Sequence, residues 1–224
     1  MDLSKIHEYF QPENVIDRIH IVGCGSVGST VAENLVRCGL INMTLWDFDK
    51  VESHNIVNQM FRAQDVGRNK AEALLDILCE INEDVRIKTK LKPNGWQGES
   101  MSGYVFLCVD SIDLRREIVK KLMLSQTVKA VFDFRTGLED AQHYAARWSD
   151  PEQRQELLDS MDFTDEEAHP EAVSACGVVL GVCPTVRTIC AIGCANFMNL
   201  LRDQKLNKAV LFNPFTCRVL AFAE

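Results

Sequence analysis

The sequence predicts an α/β fold: a mostly parallel sheet with helices on both faces, a long crossover segment and a C-terminal hairpin. Three observations carry that expectation. Short apolar runs alternate with stretches of helical periodicity through roughly the first 134 residues. The first connection between them is short and glycine-rich, Gly23-Cys24-Gly25-Ser26-Val27-Gly28. Strand, helix and strand in succession mark parallel strands joined by covering crossovers.

Taken in order, residues 18–22 (RIHIV) form the first predicted strand. Residues 26–38 form a helix, because Val27, Val31, Leu35 and Cys38 recur on one side, and Gly39 ends it as a C-cap. Residues 43–46 are a second strand, 70–80 a helix, 85–91 a third strand and 104–109 a fourth. Residues 113–124 read as a helix and 129–134 as extended chain, completing a Rossmann-like order. Beyond Phe134 the pattern weakens into an irregular crossover spanning about 135–175, within a single domain covering residues 1–224. Inside it, 142–147 reads as a strand and 149–160 as a helix, with Ser149 and Glu152 in capping-box register and Pro151 in the first turn. The acidic run 162–171 reads as a solvated loop. A helix over 184–201 and two short strands at 210–212 and 219–222 close the chain.

Composition bounds the function. Among 224 residues, 46% are hydrophobic and 25% charged, enough for a core of ordinary size. Thirty-two acidic against 24 basic side chains give a net charge of -8, which argues against a general nucleic-acid binder but not against a nucleotide site. No apolar run approaches the roughly 18 residues that span a bilayer, and MDLSKIHEYF carries no secretory pattern. Nine cysteines, odd in number and set in apolar surroundings, fit reduced thiols in a cytoplasmic protein.

Gly23, Gly25 and Gly28 form a GxGxxG between strand and helix, where it has a physical meaning. The first glycine permits the turn, the second lets phosphate approach the backbone, and the third allows close helix–sheet packing. The helix opens at Ser26 with free amides that suit negative charge. Asp47 ends the second strand 19 residues after Gly28, the position that takes the hydroxyls of an adenosine ribose. NAD would be the default ligand on these residues alone. Asp49 is either a turn acid or a group at the phosphate or metal end of the site. Asn55, Asn58 and Gln59 supply amide donors and acceptors immediately downstream. Lys70 at a helix start opposes the dipole, so it is either an exposed first-turn lysine or the partner of a local anion. Asp110 and Asp113 lie at the carboxyl rim of the fourth strand, where a hard cation wants oxygen ligands. Helix capping is the other reading for one of them, and Asp110 suits it better.

These stretches together resemble the ThiF/MoeB/ubiquitin-activating-enzyme superfamily, the E1-like adenylyltransferases. The resemblance rests on IHIVGCGSVGSTVAENLVRCGL, MTLWDFDKVESHNIVNQMF, DVGRNKAEALLDILCEINEDVRI and VFLCVDSID, in family order over residues 18–113, and more loosely on residues 174–201 and the terminal hairpin. It implies binding of ATP with Mg2+ and adenylation of the C-terminal carboxylate of a small ubiquitin-like or sulfur-carrier protein or peptide. It assigns Asp47 to the ribose, Asp49 to the phosphate end, and Asn55 and Gln59 to the wall of the ATP site. Lys70 becomes the phosphate-contacting lysine and Asp113 the magnesium acid. A homodimer is the family expectation.

The chain departs from the family pattern in places. Asn58 stands where an arginine is usual, Ile118 replaces an arginine expected after Asp113, and Leu114 replaces an asparagine. An amide donates hydrogen bonds but cannot neutralise triphosphate charge. Arg62 and Arg68 are candidates to compensate, whereas Arg115 and Arg116 fall on another helical face. No CxxC pair is present, so a zinc site is not expected, and Cys190 and Cys194 read as a small apolar stripe. Cys176, before a glycine in the crossover, is a candidate nucleophile, as is Cys183 before Pro184. His54 reads as a surface group, Trp46 as a sheet residue, and Arg135 and Arg187 as possible contacts for a carboxylate partner. The alternative function is a catalytically weakened nucleotide-binding partner or scaffold. An NAD-dependent oxidoreductase accounts for the glycines and Asp47 but not for Lys70 together with Asp113.

Overall fold

A computed structural model describes residues 1–168 and 180–224. In chain order the elements are β1 (Ile19–Val22), α1 (Ser26–Arg37), β2 (Met43–Trp46), α2 (Lys70–Ile81), α3 (Val85–Lys88), β3 (Lys90–Lys92), β4 (Gly103–Leu107), α4 (Ile112–Leu122) and β5 (Val128–Thr136). There follow β6 (Ala141–Arg147), α5 (Pro151–Asp159), α6 (Asp165–Ala168), α7 (Cys183–Leu201), β7 (Asn207–Asn213) and β8 (Arg218–Ala223).

The eight strands among the described residues join one sheet in the order β3-β2-β1-β4-β5-β6-β7-β8. The pairs from β3 to β5 are parallel, and β6, β7 and β8 add antiparallel strands. Strand order reverses between β1 and β4, so the crevice past their carboxyl ends is the ligand-binding position of such sheets. Helices α1, α2 and α7 cover one face, and α4 and α5 the other.

The first core is built on Ile21, Phe106, Phe132 and Phe134 from the central strands. Phe106 and Phe132 stack at 4.9 Å, and Phe197 of α7 meets both edge-on. Gly193 lets α7 come this close, since a Cβ there would lie 2.1 Å from the Phe134 ring. The second core gathers Trp46, Trp148, Val105, Val131 and Leu157. The Trp148 indole donates to the Leu122 carbonyl at 2.8 Å and that of Trp96 to Glu99 at 2.8 Å.

Several local expectations change. Residues 85–88 alternate like a strand but form a helical turn, because the Asn82 side chain accepts the Asp84 amide and amides 85–89 bond back three or four residues. Ile87 is consequently 82% exposed, and only Lys90–Lys92 pair with the sheet. Asp150, not Ser149, caps α5, accepting from the amides of Glu152 and Gln153. Past Phe134 the expected strand and helix do form, as β6, which pairs along β5, and α5, which packs behind it. The hairpin strands are longer than the sequence suggests. Among the described residues, no helix is long and apolar enough to cross a membrane.

Candidate functional site

The glycine turn after β1 shows three separate requirements. Gly23 has φ +91°, and a Cβ on it would meet the Cys108–Val109 backbone at 2.8 Å. A Cβ on Gly28 would lie 1.8 Å from the Gly23 carbonyl oxygen. Among the described residues, Gly25 has nothing nearer to such an atom than Gln59 Nε2 at 3.9 Å, which leaves its backbone open on that side. Gly25 also precedes the first turn of α1, and among the described residues no side chain caps that helix start.

Asp47, at the end of β2, is buried and spans the turn. Its Oδ2 accepts the Cys24 amide at 2.6 Å, and its Oδ1 the Asp49 amide at 2.8 Å. Burial raises its pKa, against which those two amides and Lys70 act. Each oxygen keeps a lone pair for a further donor such as a ribose hydroxyl.

Lys70 Nζ lies 2.9 Å from Asp49 Oδ2, and the lysine side chain is 11% exposed against 49% for the aspartate. The Lys70 amide also donates to the Asp49 carbonyl at 2.8 Å. Asn69 explains this closeness. Its Oδ1 caps α2 by accepting from Ala71 and Glu72, while its Nδ2 donates to the carbonyls of Asp47, Asp49 and Pro93. Sequence reasoning passed over Asn69, although an asparagine before a helix start is a cap signal.

The polar segment after β2 forms a short 3-10 turn, Ser53–Val57. Asn55 is buried and its Oδ1 accepts the Glu52 amide at 2.9 Å. Asn58 donates from Nδ2 to the Gly181 carbonyl at 3.4 Å. Gln59 Oε1 is buried without a hydrogen-bond partner among the described residues, beside the open glycine. An unmet acceptor there and an open Gly25 are what a site for a ligand with donor groups requires.

At the end of β4, Ser111 rather than Asp110 caps α4, its Oγ accepting the Leu114 amide. Asp110 accepts the neighbouring Ser111 amide. Asp113 is 63% exposed and pairs with Arg116 at 2.5 Å. Two oxygen-bearing acids at this rim suit Mg2+, which takes one or two carboxylates and completes its shell from phosphate and water. Among the described residues, no cluster of three or more His, Cys, Asp or Glu could hold a metal by itself.

The neighbouring arginines are committed elsewhere. Arg62 pairs with Asp65 and Glu80, and Arg68 with Asp65 and Asp76, around a fully buried Asp65. Arg115 is buried on Asp133 and also donates to the carbonyls of Val109 and Phe134. Arg135, read as a contact for an outside acid, instead bonds Asp133 at 2.6 Å and Ser160. Burial raises the Asp133 pKa, but Arg115 and Arg135 outweigh it and hold the carboxyl low. Arg187 pairs with Glu33 at 3.3 Å.

Cys24, Cys108, Cys190 and Cys194 are buried, and burial pushes each thiol pKa up, the opposite of an activated nucleophile. Cys183 opens α7. Cys176 lies outside the described residues. His54 is at the surface, 3.5 Å from Glu52. Trp46 is buried in the sheet, its indole donating to His20 Nδ1 at 3.1 Å.

A model of the ThiF family matches residues 3–132. Ubiquitin-like modifier-activating enzyme 5 of Drosophila virilis is 33% identical over 135 residues, 53% of this chain and 34% of that protein. The Caenorhabditis elegans protein of the same name is 43% identical over 70 residues, 31% of this chain and 17% of that one. The matched stretches thus span about a third or less of these relatives' length. Among solved structures, E. coli MccB with ATP superposes with a TM-score of 0.70 at 15% identity, covering 95% of this chain and 64% of that one. Selenomethionine PaaA gives 0.72 at 18% identity, covering 99% and 78%. At such identities the likeness is one of fold.

Proposed function

Because this chain belongs to the ThiF family, we propose that it is an ATP- and Mg2+-dependent adenylyltransferase acting on the C-terminal carboxylate of a small ubiquitin-like or sulfur-carrier protein or peptide. The observation that carries the reading is the Lys70–Asp49 pair, held by Asn69 beside the open glycine turn and Asp47. An ordinary dinucleotide site needs the glycines and the ribose acid but has no use for a nearly buried lysine at this place.

In this reading Asp47 accepts the ribose hydroxyls, while Gly25 and the first amides of α1 face the phosphates. Lys70 exchanges Asp49 for phosphate oxygens. Asn55, Asn58 and Gln59 line the nucleotide, and the Gln59 oxygen, without a partner among the described residues, takes a donor from it. Asp113 would hold Mg2+, which when bound neutralises charge on the departing pyrophosphate. The acceptor carboxylate attacks the α-phosphorus in line, its oxygen–phosphorus bond forming as the bond to pyrophosphate breaks. The names of two sets of relatives support the acceptor class: modifier-activating enzymes, and MccB solved with MccA. A homodimer and Cys176 as a later acyl acceptor belong to the same proposal.

The test is calorimetric titration with ATP, with and without Mg2+ and with NAD beside it, followed by ATP–pyrophosphate exchange with candidate acceptors. Mg2+-dependent ATP binding that falls at least about tenfold in Lys70→Ala is expected. NAD binding indifferent to Lys70 would sink the proposal.

A second reading, a nucleotide-binding partner with weakened chemistry, is favoured by one observation: Arg62, Arg68 and Arg115 are all occupied in internal ion pairs, leaving Asn58 uncompensated. Asn58→Arg separates the two. A gain in pyrophosphate exchange over the native chain favours the weakened partner, and no gain favours an enzyme that works without that arginine.

A further inference from the structure

The acidic segment before residue 169 is built into the rim of the candidate site. Asp165 Oδ1 accepts the Ile112 amide, and its Oδ2 accepts the Ser111 hydroxyl at 2.9 Å. That same hydroxyl caps α4. One turn further on, Arg116 donates to the carbonyls of Met161 and Phe163 and to the Asp113 carboxylate. Thr164 and Glu167 bond each other reciprocally, side chain to amide in both directions, which stiffens the turn carrying Asp165. Arg135 anchors the start of the segment through Ser160.

We infer that residues 161–168 form a clip that orients the first turn of α4, with Asp165 as a positioning residue for Asp113. The inference rests on the reading of Asp113 as the magnesium acid. Its physical basis is how Arg116 divides its donors. Nε and Nη2 are held by the clip carbonyls, so only Nη1 reaches Asp113. Without the clip the planar guanidinium is free to take both oxygens of that carboxylate. A cation would then compete with a bidentate arginine instead of a single contact. Asp165 fixes the helix start on which this partition depends, and its negative charge at an N-terminus is favourable in itself.

Two measurements on the full chain test this. Hydrogen exchange in the nucleotide-free protein compares the native chain with Asp165→Ala and Asp165→Asn. The Ile112 amide should exchange about tenfold faster in Asp165→Ala and less so in Asp165→Asn, which keeps one acceptor oxygen. Unchanged exchange overturns the clip. Calorimetry then follows ATP binding against Mg2+ for the native chain, Asp165→Ala, Asp113→Asn and Arg116→Ala.

Asp165→Ala should raise the Mg2+ needed about tenfold while Mg2+-free ATP binding stays the same, and the double variant with Arg116→Ala should recover. A purely structural role would lower both kinds of binding together and would not be rescued. Native Mg2+ dependence in Asp165→Ala, despite faster exchange, overturns the positioning role. If Asp113→Asn leaves Mg2+ dependence intact, the reading of Asp113 falls, and the positioning role falls with it even where the exchange data uphold the contact.

Discussion

The Cys24 amide donates to Asp47 Oδ2 at 2.6 Å and so ties the glycine turn after β1 to the end of β2. Asp47 thereby has two tasks. It shapes the turn through Cys24 and the next loop through Asp49, and it keeps acceptor capacity at the mouth of the crevice. Asp47→Asn must turn an amide NH2 toward one of two backbone donors. Urea unfolding should show a loss of about 1–3 kcal/mol, the cost of a charged hydrogen bond replaced by an unmet donor. ATP affinity should fall at least about tenfold in the same variant. Binding at native strength would remove Asp47 from the site.

Gly25 and Gly28 separate binding from folding. Gly28→Ala drives a Cβ into the Gly23 carbonyl, a backbone clash without a flexible group to yield. Its thermal transition should drop by several degrees or the chain should fail to fold, since overpacking costs about 1–3 kcal/mol or more. Among the described residues, Gly25→Ala makes only an ordinary contact, with Gln59 Nε2 at 3.9 Å, and it should melt within about 0.5 kcal/mol of the native chain. Its added methyl narrows the approach to the turn, so ATP binding should weaken while the fold persists. Equal effects of the two on melting would contradict the division.

Arg115 is a structural residue beside the site. Removing it in Arg115→Ala leaves Asp133 fully buried with only Arg135 as a charge partner and releases the Val109 and Phe134 carbonyls. Denaturant unfolding should show a loss of about 3–5 kcal/mol, the usual result of breaking a buried pair from one side. A loss under about 1 kcal/mol would mean that Arg135 alone satisfies the aspartate.

Two histidines give the stability a pH signature. His143 donates from Nδ1 to the Asp133 carbonyl and accepts from Asn196 at Nε2. His20 likewise donates from Nε2 to the Ser102 carbonyl and accepts from the Trp46 indole at Nδ1. Both are neutral, and burial lowers each pKa from 6.5 to about 4. The unfolded chain therefore binds more protons than the native one between those values, so stability falls as pH drops from 6.5 toward 4. Each histidine contributes a slope of up to about 1.4 kcal/mol per pH unit. Denaturant midpoints measured from pH 7 to 4.5 should decline through this window, and a flat profile down to pH 5 would contradict it.

Much of the framework was legible in the chain. The helix at 26–37 follows from apolar spacing and Gly39, and β2 was read at its observed bounds, because short-range pattern and burial agree there. The reading failed where two local signals compete. Val85 and Ile87 alternate as in a strand, but the Asx turn at Asn82 starts a helix first. Around Ser149, two adjacent residues can cap, and the choice fell to Asp150 by geometry. The acidic segment reads as solvent-facing because nothing local reveals that Asp165 reaches α4, 53 residues away in sequence.

By itself the sequence determined the strand–turn–helix with its glycine turn, the acids at two strand ends, and the family in which they occur together. Those are matters of periodicity, glycine placement and residue order over short spans. Only the tertiary structure decided which charges are free to act. It spent Arg62, Arg68, Arg115 and Arg135 on internal acids, brought Lys70 to Asp49 through Asn69, and set Gly25 next to a Gln59 oxygen that has no partner among the described residues. Ion pairs between distant segments depend on where the sheet order places their strands. A charge can therefore be counted in the sequence, while its partner is fixed only once the chain has folded.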